Sequence, residues 1–391
     1  MTSSDSLRTR DLTTDDLDSA FDVRSRSFGP LDPSMRDWWN EVQHESINAH
    51  RAIGVFDGER LLAHARIRSY QQFWGGRPMP MGGIAGVVVA PDARGRGVGS
   101  KLMAAIAERS HELGDLVSAL YPATVSMYRT LGWEIVGAQH RISMSAEALR
   151  TLGGKDVHLR TATESDVEPF RNSLVDRYTA QRANGPKLLS FAEAKELLTD
   201  DAMMSYVTEH GFVVYKWHDG NLVVSYLLAD TPAVARALWS VVGSGSSIAK
   251  KVVAYVAPDD PIHLLLPEEV AHESRLTRWM LRVLDTPKAI AARGFSSSVT
   301  GAATILLEDP LLPANSGSWR LAVSGGRGEL TQVEATEEAL QLGPNGFAAL
   351  YAGTPVHVLR TAGLASGGKP AEDELLDAAF AGRAAYLLEY F

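Results

Sequence analysis

The chain has 391 residues, 45% hydrophobic and 22% charged, an ordinary soluble globular composition and enough length for two or three cores. Its formal charge of -9 weighs against nucleic acid or an anionic membrane as partner. The absence of cysteine excludes disulfides, thiolate metal sites and a cysteine-bound acyl intermediate. The N-terminus is polar, without the apolar stretch of a signal peptide, and no run of about 18 apolar residues occurs. A cytoplasmic protein without a membrane span is therefore expected.

In chain order, residues 7–17 (L-R-T-R-D-L-T-T-D-D-L) read as a strand entering a helix, with Thr13 as N-cap and Asp16 as capping-box acid. In residues 52–67 two apolar runs meet at Asp57-Gly58, a dipeptide suited to a hairpin turn. Residues 87–101, V-V-V-A-P-D-A-R-G-R-G-V-G-S-K, end a β-branched strand and alternate two arginines with three glycines. They turn straight into a helix with Leu102, Met103, Ile106 and Leu113 on its apolar face and Gly114 as its stop. Ser110, His111 and Glu112 are expected on that helix's surface, where consecutive residues do not face one another. Residues 116–120 read as a buried strand, and Tyr128 to Trp133 form a Y-x-x-x-G-W pattern.

Arg160, Thr163, Asp166 and Val167 repeat the order of Arg10, Thr13, Asp16 and Leu17, and a second Asp-Gly hairpin turns at Asp219-Gly220. Two signals in one order point to a duplicated unit. The counterpart of the glycine–arginine stretch is expected in residues 238–252, which carry two glycines and no arginine, so the second unit is expected to be structural. From about Asp285 short strands alternate with Gly, Ser and Pro turns before the chain closes on helical segments. Breaks near Gly153-Gly154 and Asp285 to Pro287 give domains 1–150, 151–285 and 286–391.

A strand, a glycine-rich turn and a helix present backbone N–H groups and a partial positive charge to an anion. Glycines 95, 97 and 99 let a diphosphate approach the backbone, and Arg94 and Arg96 add cationic forks. The stretch is not a P-loop, because Lys101 is not preceded by glycine, and it lacks the G-x-G-x-x-G of a dinucleotide site. It satisfies R-x-x-G-x-G through Arg94, Gly97 and Gly99, and with its V-V-V-A-P-D-A lead-in it resembles the pyrophosphate loop of the GNAT acetyltransferases. That resemblance implies acetyl-CoA as cosubstrate, held by the loop residues Arg94, Gly95, Arg96, Gly97, Val98, Gly99 and Ser100. It also implies a bulged, splayed strand at Val87, Val88 and Val89 whose N–H groups face the thioester and its developing oxyanion.

Acetyl transfer to an amine requires a proton for the leaving thiolate and removal of one from the nitrogen. The Y-x-x-x-G-W element resembles the GNAT segment ending near the CoA sulfur, which makes Tyr128 the general acid. Tyr121 is the rival. As a whole the chain is similar to the Eis (enhanced intracellular survival) family of N-acetyltransferases, and L-D-T-P-K-A-I-A-A-R-G-F resembles that family's entry into a sterol carrier protein type 2-like domain. The fold implied is α/β (α+β): tandem GNAT folds, the second degenerate, then the sterol carrier-like domain. The resemblance implies the Phe391 carboxylate as general base, direct attack in a ternary complex, a homo-hexamer, and small-molecule or peptide amines as acceptors. Glu389, Phe28 and Trp39, with Trp38, are the expected acceptor-binding residues, and the basic residues of R-S-R-S-F before Gly29 are expected near the same entrance. No metal is expected, since the 11 histidines show no H-x-H or H-x-x-x-H pair. The alternative is a CoA-sensing or lipid-binding carrier on the same architecture.

Overall fold

The computed structural model describes residues 7–249, 251–266 and 271–391. The polar start, residues 1–6, lies outside them, as does Lys250 of the expected loop counterpart. The described strands form two sheets. The larger has thirteen: β1 (Leu7–Asp11), β2 (Ala52–Asp57), β3 (Arg60–Trp74), β4 (Arg77–Val89), β5 (Val117–Leu120), β6 (Glu134–Ser145), β7 (Arg160–Thr161), β8 (Lys187–Leu188), β9 (Met203–Thr208), β10 (Gly211–His218), β11 (Asn221–Ala229), β12 (Lys251–Val256) and β13 (Ala271–Val283). Their order is β1-β2-β3-β4-β5-β13-β6-β12-β11-β10-β9-β7, with β8 on β3.

That order is a duplication with exchanged ends. Strands β4 and β5 are parallel, as are β11 and β12, while β6 pairs with β12 and β13 pairs with β5, both antiparallel. The last strand of each half thus closes the sheet of the other, and β6 and β13 run side by side at the centre. The repeated caps occupy matching places. Arg10 grips Asp16 with both terminal guanidinium nitrogens, and Arg160 grips Asp166 in the same way. Each aspartate completes a capping box with Thr13 or Thr163.

Two correspondences expected from sequence are corrected. Asp57-Gly58 joins β2 to β3, whereas Asp219-Gly220 joins β10 to β11, one strand later in its half. The turn chemistry is alike, but the positions are not equivalent. The structural counterpart of residues 87–101 is also not residues 238–252. It is the step from β11 to its helix, where only Asp230 and Thr231 separate Ala229 from Pro232, and Thr231 caps the helix directly.

Helices α1 (Leu17–Phe28), α2 (Arg36–Asn48), α3 (Val98–Glu112) and α4 (Val125–Arg129) belong to the first half. In α3, Leu102, Met103, Ile106 and Ala107 recur at helical spacing and are fully buried, while Gly114 ends the helix at φ +83°. Burial of each large side chain there stabilises by about 1.5–3 kcal/mol. Ser110 is not on the surface as expected. It is buried and donates to Asp115, which also receives Arg51.

The third region has a five-stranded sheet of β14 (Gly301–Leu307), β15 (Gly317–Ser324), β16 (Arg327–Gln332), β17 (Leu340–Leu342) and β18 (Ala365–Gly367). One apolar cluster runs from it into the first half, joining Phe347, Tyr351 and Phe380 to Trp279 of β13 and to Trp74 and Met81. The buried Arg282–Asp309 pair crosses the same boundary at 2.7 and 2.9 Å. The tail then returns to the centre of the large sheet. Asn184 donates to the Arg383 carbonyl, Tyr386 bridges to Ala138, and Gln139 donates to the Leu388 carbonyl. No described helix is long and apolar enough to cross a membrane.

Candidate active site

Between β3 and β4 the register slips. His64 faces Val88 and Arg66 faces Ala85, so β4 carries one extra residue at Gly86-Val87, with Gly86 at φ +63°. This is the expected bulge, and glycine supplies the left-handed residue it needs. On its other edge β4 pairs with β5 only through Gly83, opposite Ala119. Beyond that pair the two strands part, and a cleft opens at the middle of the sheet.

One side of this cleft is a cavity of about 580 Å³ lined by Val87, Val88, Val89, Arg94, Gly95, Gly97, Val98, Gly99, Ser100, Met127 and Tyr128. Gly97 is the N-cap of α3, so the first-turn N–H groups of that helix are presented beside it. Gly95 and Gly97 sit at φ +74° and +76°, and a Cβ added to either would meet nothing within 4 Å. A loop of that shape, with bare backbone at a helix N-terminus, suits the diphosphate of CoA. Arg94 lines the cavity, whereas Arg96 is exposed and lies outside its lining.

Tyr128, on α4, is buried at 5% exposure in the wall of this cavity. Burial, helped by the neighbouring Tyr390, pushes its phenol up to about 12, so it holds its proton at neutral pH. Tyr121 sits differently. Its hydroxyl donates to the Glu389 carbonyl at 2.8 Å, and its ring stacks on Tyr390 at 4.3 Å. Its proton is committed to holding the tail.

The tail forms the other side of the cleft. The Phe391 ring lies 5.3 Å from Tyr70 and 5.6 Å from Tyr121, close enough to β4 that a Cβ on Gly83 would come within 3.0 Å of it. Beside it is a second cavity of about 410 Å³, with Tyr70, Lys187, Glu193, Tyr226, Glu389 and Phe391 in its walls. Tyr226, on β11 of the second half, donates to Glu389 Oε1, while Oε2 is enclosed without a partner. Burial pushes the Glu389 carboxyl up to about 7, a rise that Lys187 opposes. Lys187 is itself buried, paired with Glu193 at 2.8 Å, with its ammonium 4.3 Å above the Tyr70 ring. Despite the cost of burial, that ammonium and the Ser190 cap hold the Glu193 carboxyl below its ordinary value.

The other residues expected at the acceptor site lie away from the tail cavity. Phe28 is 60% exposed and lines the glycine-loop cavity instead. The R-S-R-S-F stretch lies there too, with Ser27 donating to the Val89 carbonyl and Arg26 paired to Asp22. Trp39 is a core residue, buried edge-on against Phe21 at 5.2 Å, and Trp38 lines neither cavity. Tyr70, Lys187 and Tyr226 are additions that sequence reasoning missed. None of them stands in a local motif, and their meeting depends on segments far apart in the chain. Among the described residues, no group of three or more His, Asp or Glu side chains could hold a metal ion.

Residues 8–136 and 192–283 each match an acetyltransferase (GNAT) domain family, and residues 286–388 match the sterol carrier protein domain family. A crystal structure of a GCN5-related N-acetyltransferase from Kribbella flavida is 49% identical, covering 98% of each chain with a TM-score of 0.96. An uncharacterized N-acetyltransferase of Streptomyces griseus is 28% identical over 342 residues, 78% of this chain and 80% of the relative. The N-acetyltransferase Eis of Mycobacterium tuberculosis is 27% identical over 328 residues, 78% of each. The family matches take in the bulged strand, the glycine loop and the third region alike: the chain belongs to the GCN5-related N-acetyltransferases, with GNAT acetyltransferase domains joined to a sterol carrier protein domain.

Proposed function

We propose that the protein transfers an acetyl group from acetyl-CoA to a primary amine, such as an aminoglycoside, a polyamine or a lysine, by direct attack within a ternary complex. The observation that carries this reading is that the two cavities flank the parting of β4 from β5, one walled by Tyr128 and the other by Phe391, whose ring lies against Gly83. Tyr390 reaches the electrostatic surroundings of Tyr128.

In this reaction the amine nitrogen bonds to the acyl carbon, the C–S bond breaks, and the thiolate takes the Tyr128 proton. The first turn of α3 and Arg94 hold the diphosphate. The β4 backbone beyond Gly83 faces the acyl oxygen as negative charge grows on it. The acceptor enters as an ammonium, which Glu389 and the Phe391 carboxylate attract. An ordinary α-carboxylate, at about 3.5, is a weak base for an ammonium near 9, so Phe391 orients the cation and relays its proton through water. A homo-hexamer is the assembly that accompanies this reading, and sedimentation tests it.

For the carrier alternative the third region offers a cavity of about 380 Å³ walled by Leu306, Leu342 and Leu364 together with Glu308, Gln341 and Ser366. Elsewhere in that region Phe347, Tyr351 and Phe380 pack in contact, with the Arg293 guanidinium 4.9 Å from the Tyr351 ring. The test combines acetyl-CoA with a panel of amines and follows free thiol. We expect thiol release with amines, abolished by deleting Phe391 or extending the chain past it, while acetyl-CoA still binds. Full turnover after either change would refute the assigned base, and no release with any amine would refute the activity.

A further inference from the structure

The tail cavity does not stop at Glu389. A further cavity of about 700 Å³ shares Gln139, Lys216, Ser225, Tyr255 and Tyr390 with it, so the two form one continuous recess over the sheet. Together they are lined by five lysine or arginine side chains and two glutamates. Both glutamates lie at the inner end, Glu193 held by Lys187 and Glu389 by Tyr226. The outer part carries Arg141, Arg275, Lys216 and His218. The chain as a whole has 38 Lys and Arg against 47 Asp and Glu, so this recess has the opposite sign to the molecule.

The exchanged strands create the crowding. Arg141 of β6 and Arg275 of β13 stand directly opposite one another in the antiparallel register. Like charges facing across strands are destabilising unless something offsets them. Among the described residues neither arginine makes an ion pair, and neither does Lys216, while His218 has only its neighbour Asp219 at 3.4 Å. Glu273, two residues along β13, is exposed and pairs with none of them. From β13 to β10 the cationic floor crosses four interstrand gaps, about 19 Å at the usual spacing.

We infer that this outer recess binds the anionic part of the acceptor, so that the preferred substrate is an amine carrying carboxylate or phosphate groups along an extended chain. Its ammonium would enter the inner end, where Glu389 and the Phe391 carboxylate stand, and its anions would lie over Arg141 and Arg275. The inference takes its reaction from the acetyl-transfer reading above, but the anion site stands independently of it.

The test uses N-blocked peptides of equal length with a single lysine, flanked by glutamate, by serine, by phosphoserine or by arginine. Acetylation by the intact protein is measured for each at low salt. We expect kcat/KM about tenfold higher for the glutamate-flanked or phosphoserine-flanked peptide than for the serine one, and lowest for arginine. The preference should shrink at high salt, and the ratio should approach one in Arg141→Ala/Arg275→Ala. The larger of the two anionic responses tells carboxylate from phosphate.

A second arm needs no turnover. Anisotropy of a labelled, glutamate-rich peptide lacking lysine measures binding to wild type and variant, with the exposed Arg275→Gln as the substitute if the double variant misfolds. Equal kcat/KM for all peptides, or a preference for arginine, would overturn the proposal, as would binding that ignores the substitutions. Arginine-dependent binding with no amine acetylated would leave the anion site standing and remove the acetyltransferase reading instead.

Discussion

Tyr121 and Tyr128 share one cleft, yet their hydroxyl groups serve different partners. Tyr121 donates to the tail, and Tyr128 keeps its proton in the wall of the glycine-loop cavity. We expect Tyr128→Phe to lower kcat by about 10²- to 10⁴-fold, the range of general-acid contributions, with acetyl-CoA affinity changed less than about threefold by calorimetry. Glu389 titrates oppositely to a surface carboxylate. Its folded value of about 7 lies above the ordinary 4.5, so the folded state holds the proton more tightly. The stability this supplies is complete below about 4.5 and lost as pH rises through about 7, at most about 3 kcal/mol and less to the extent that the half-buried residue is screened. Thermal melts from pH 5 to 8 should therefore fall more steeply in wild type than in Glu389→Gln. The loop residues were legible in sequence because their chemistry is local, glycine and arginine at fixed spacing before a helix. Lys187 was not, because its meaning comes from Tyr70, more than a hundred positions away.

At the scale of elements, the caps were readable for the same reason. Arg10, Thr13 and Asp16 make a complete hydrogen-bonded unit within seven residues, and their repeat at 160–166 survives intact. The Asp-Gly hairpins misled because a turn reports its own dihedral angles and not which strands it joins. Strand exchange left no local trace, since the sequence of β6 or β13 does not report which half supplies its neighbours. The exchange puts weight on one buried pair. Asp309 accepts from Arg282, from the Leu311 and Leu312 amides and from Asn315, and Asn315 in turn ties down Thr286 and Leu284. Asp309→Ala would strand a guanidinium with no exposure, so we expect a loss of about 3–5 kcal/mol in denaturant unfolding. A loss below about 1 kcal/mol would show that water reaches Arg282.

For the whole molecule, packing crosses the boundaries expected from sequence at 150 and 285. The first half takes β13 from residues 271–283, and the cluster around Trp279 continues into the third region. We expect residues 1–150 expressed alone to aggregate or stay unfolded by circular dichroism and size exclusion, because β5 lacks β13 on one side and β6 lacks both neighbours. The intact chain should lose secondary structure and tryptophan burial in coincident transitions. A monodisperse, folded 1–150 fragment would contradict this.

The exchange also sets an order of events during synthesis. Residues 117–120 emerge early, but their partners at 280–283 are made only after the whole second half. Contacts of such separation form slowly, and until then β5 presents an open edge on the growing chain. The half that bears the glycine loop cannot be finished before its silent duplicate exists, so the copy without that loop serves as the scaffold on which the equipped copy closes.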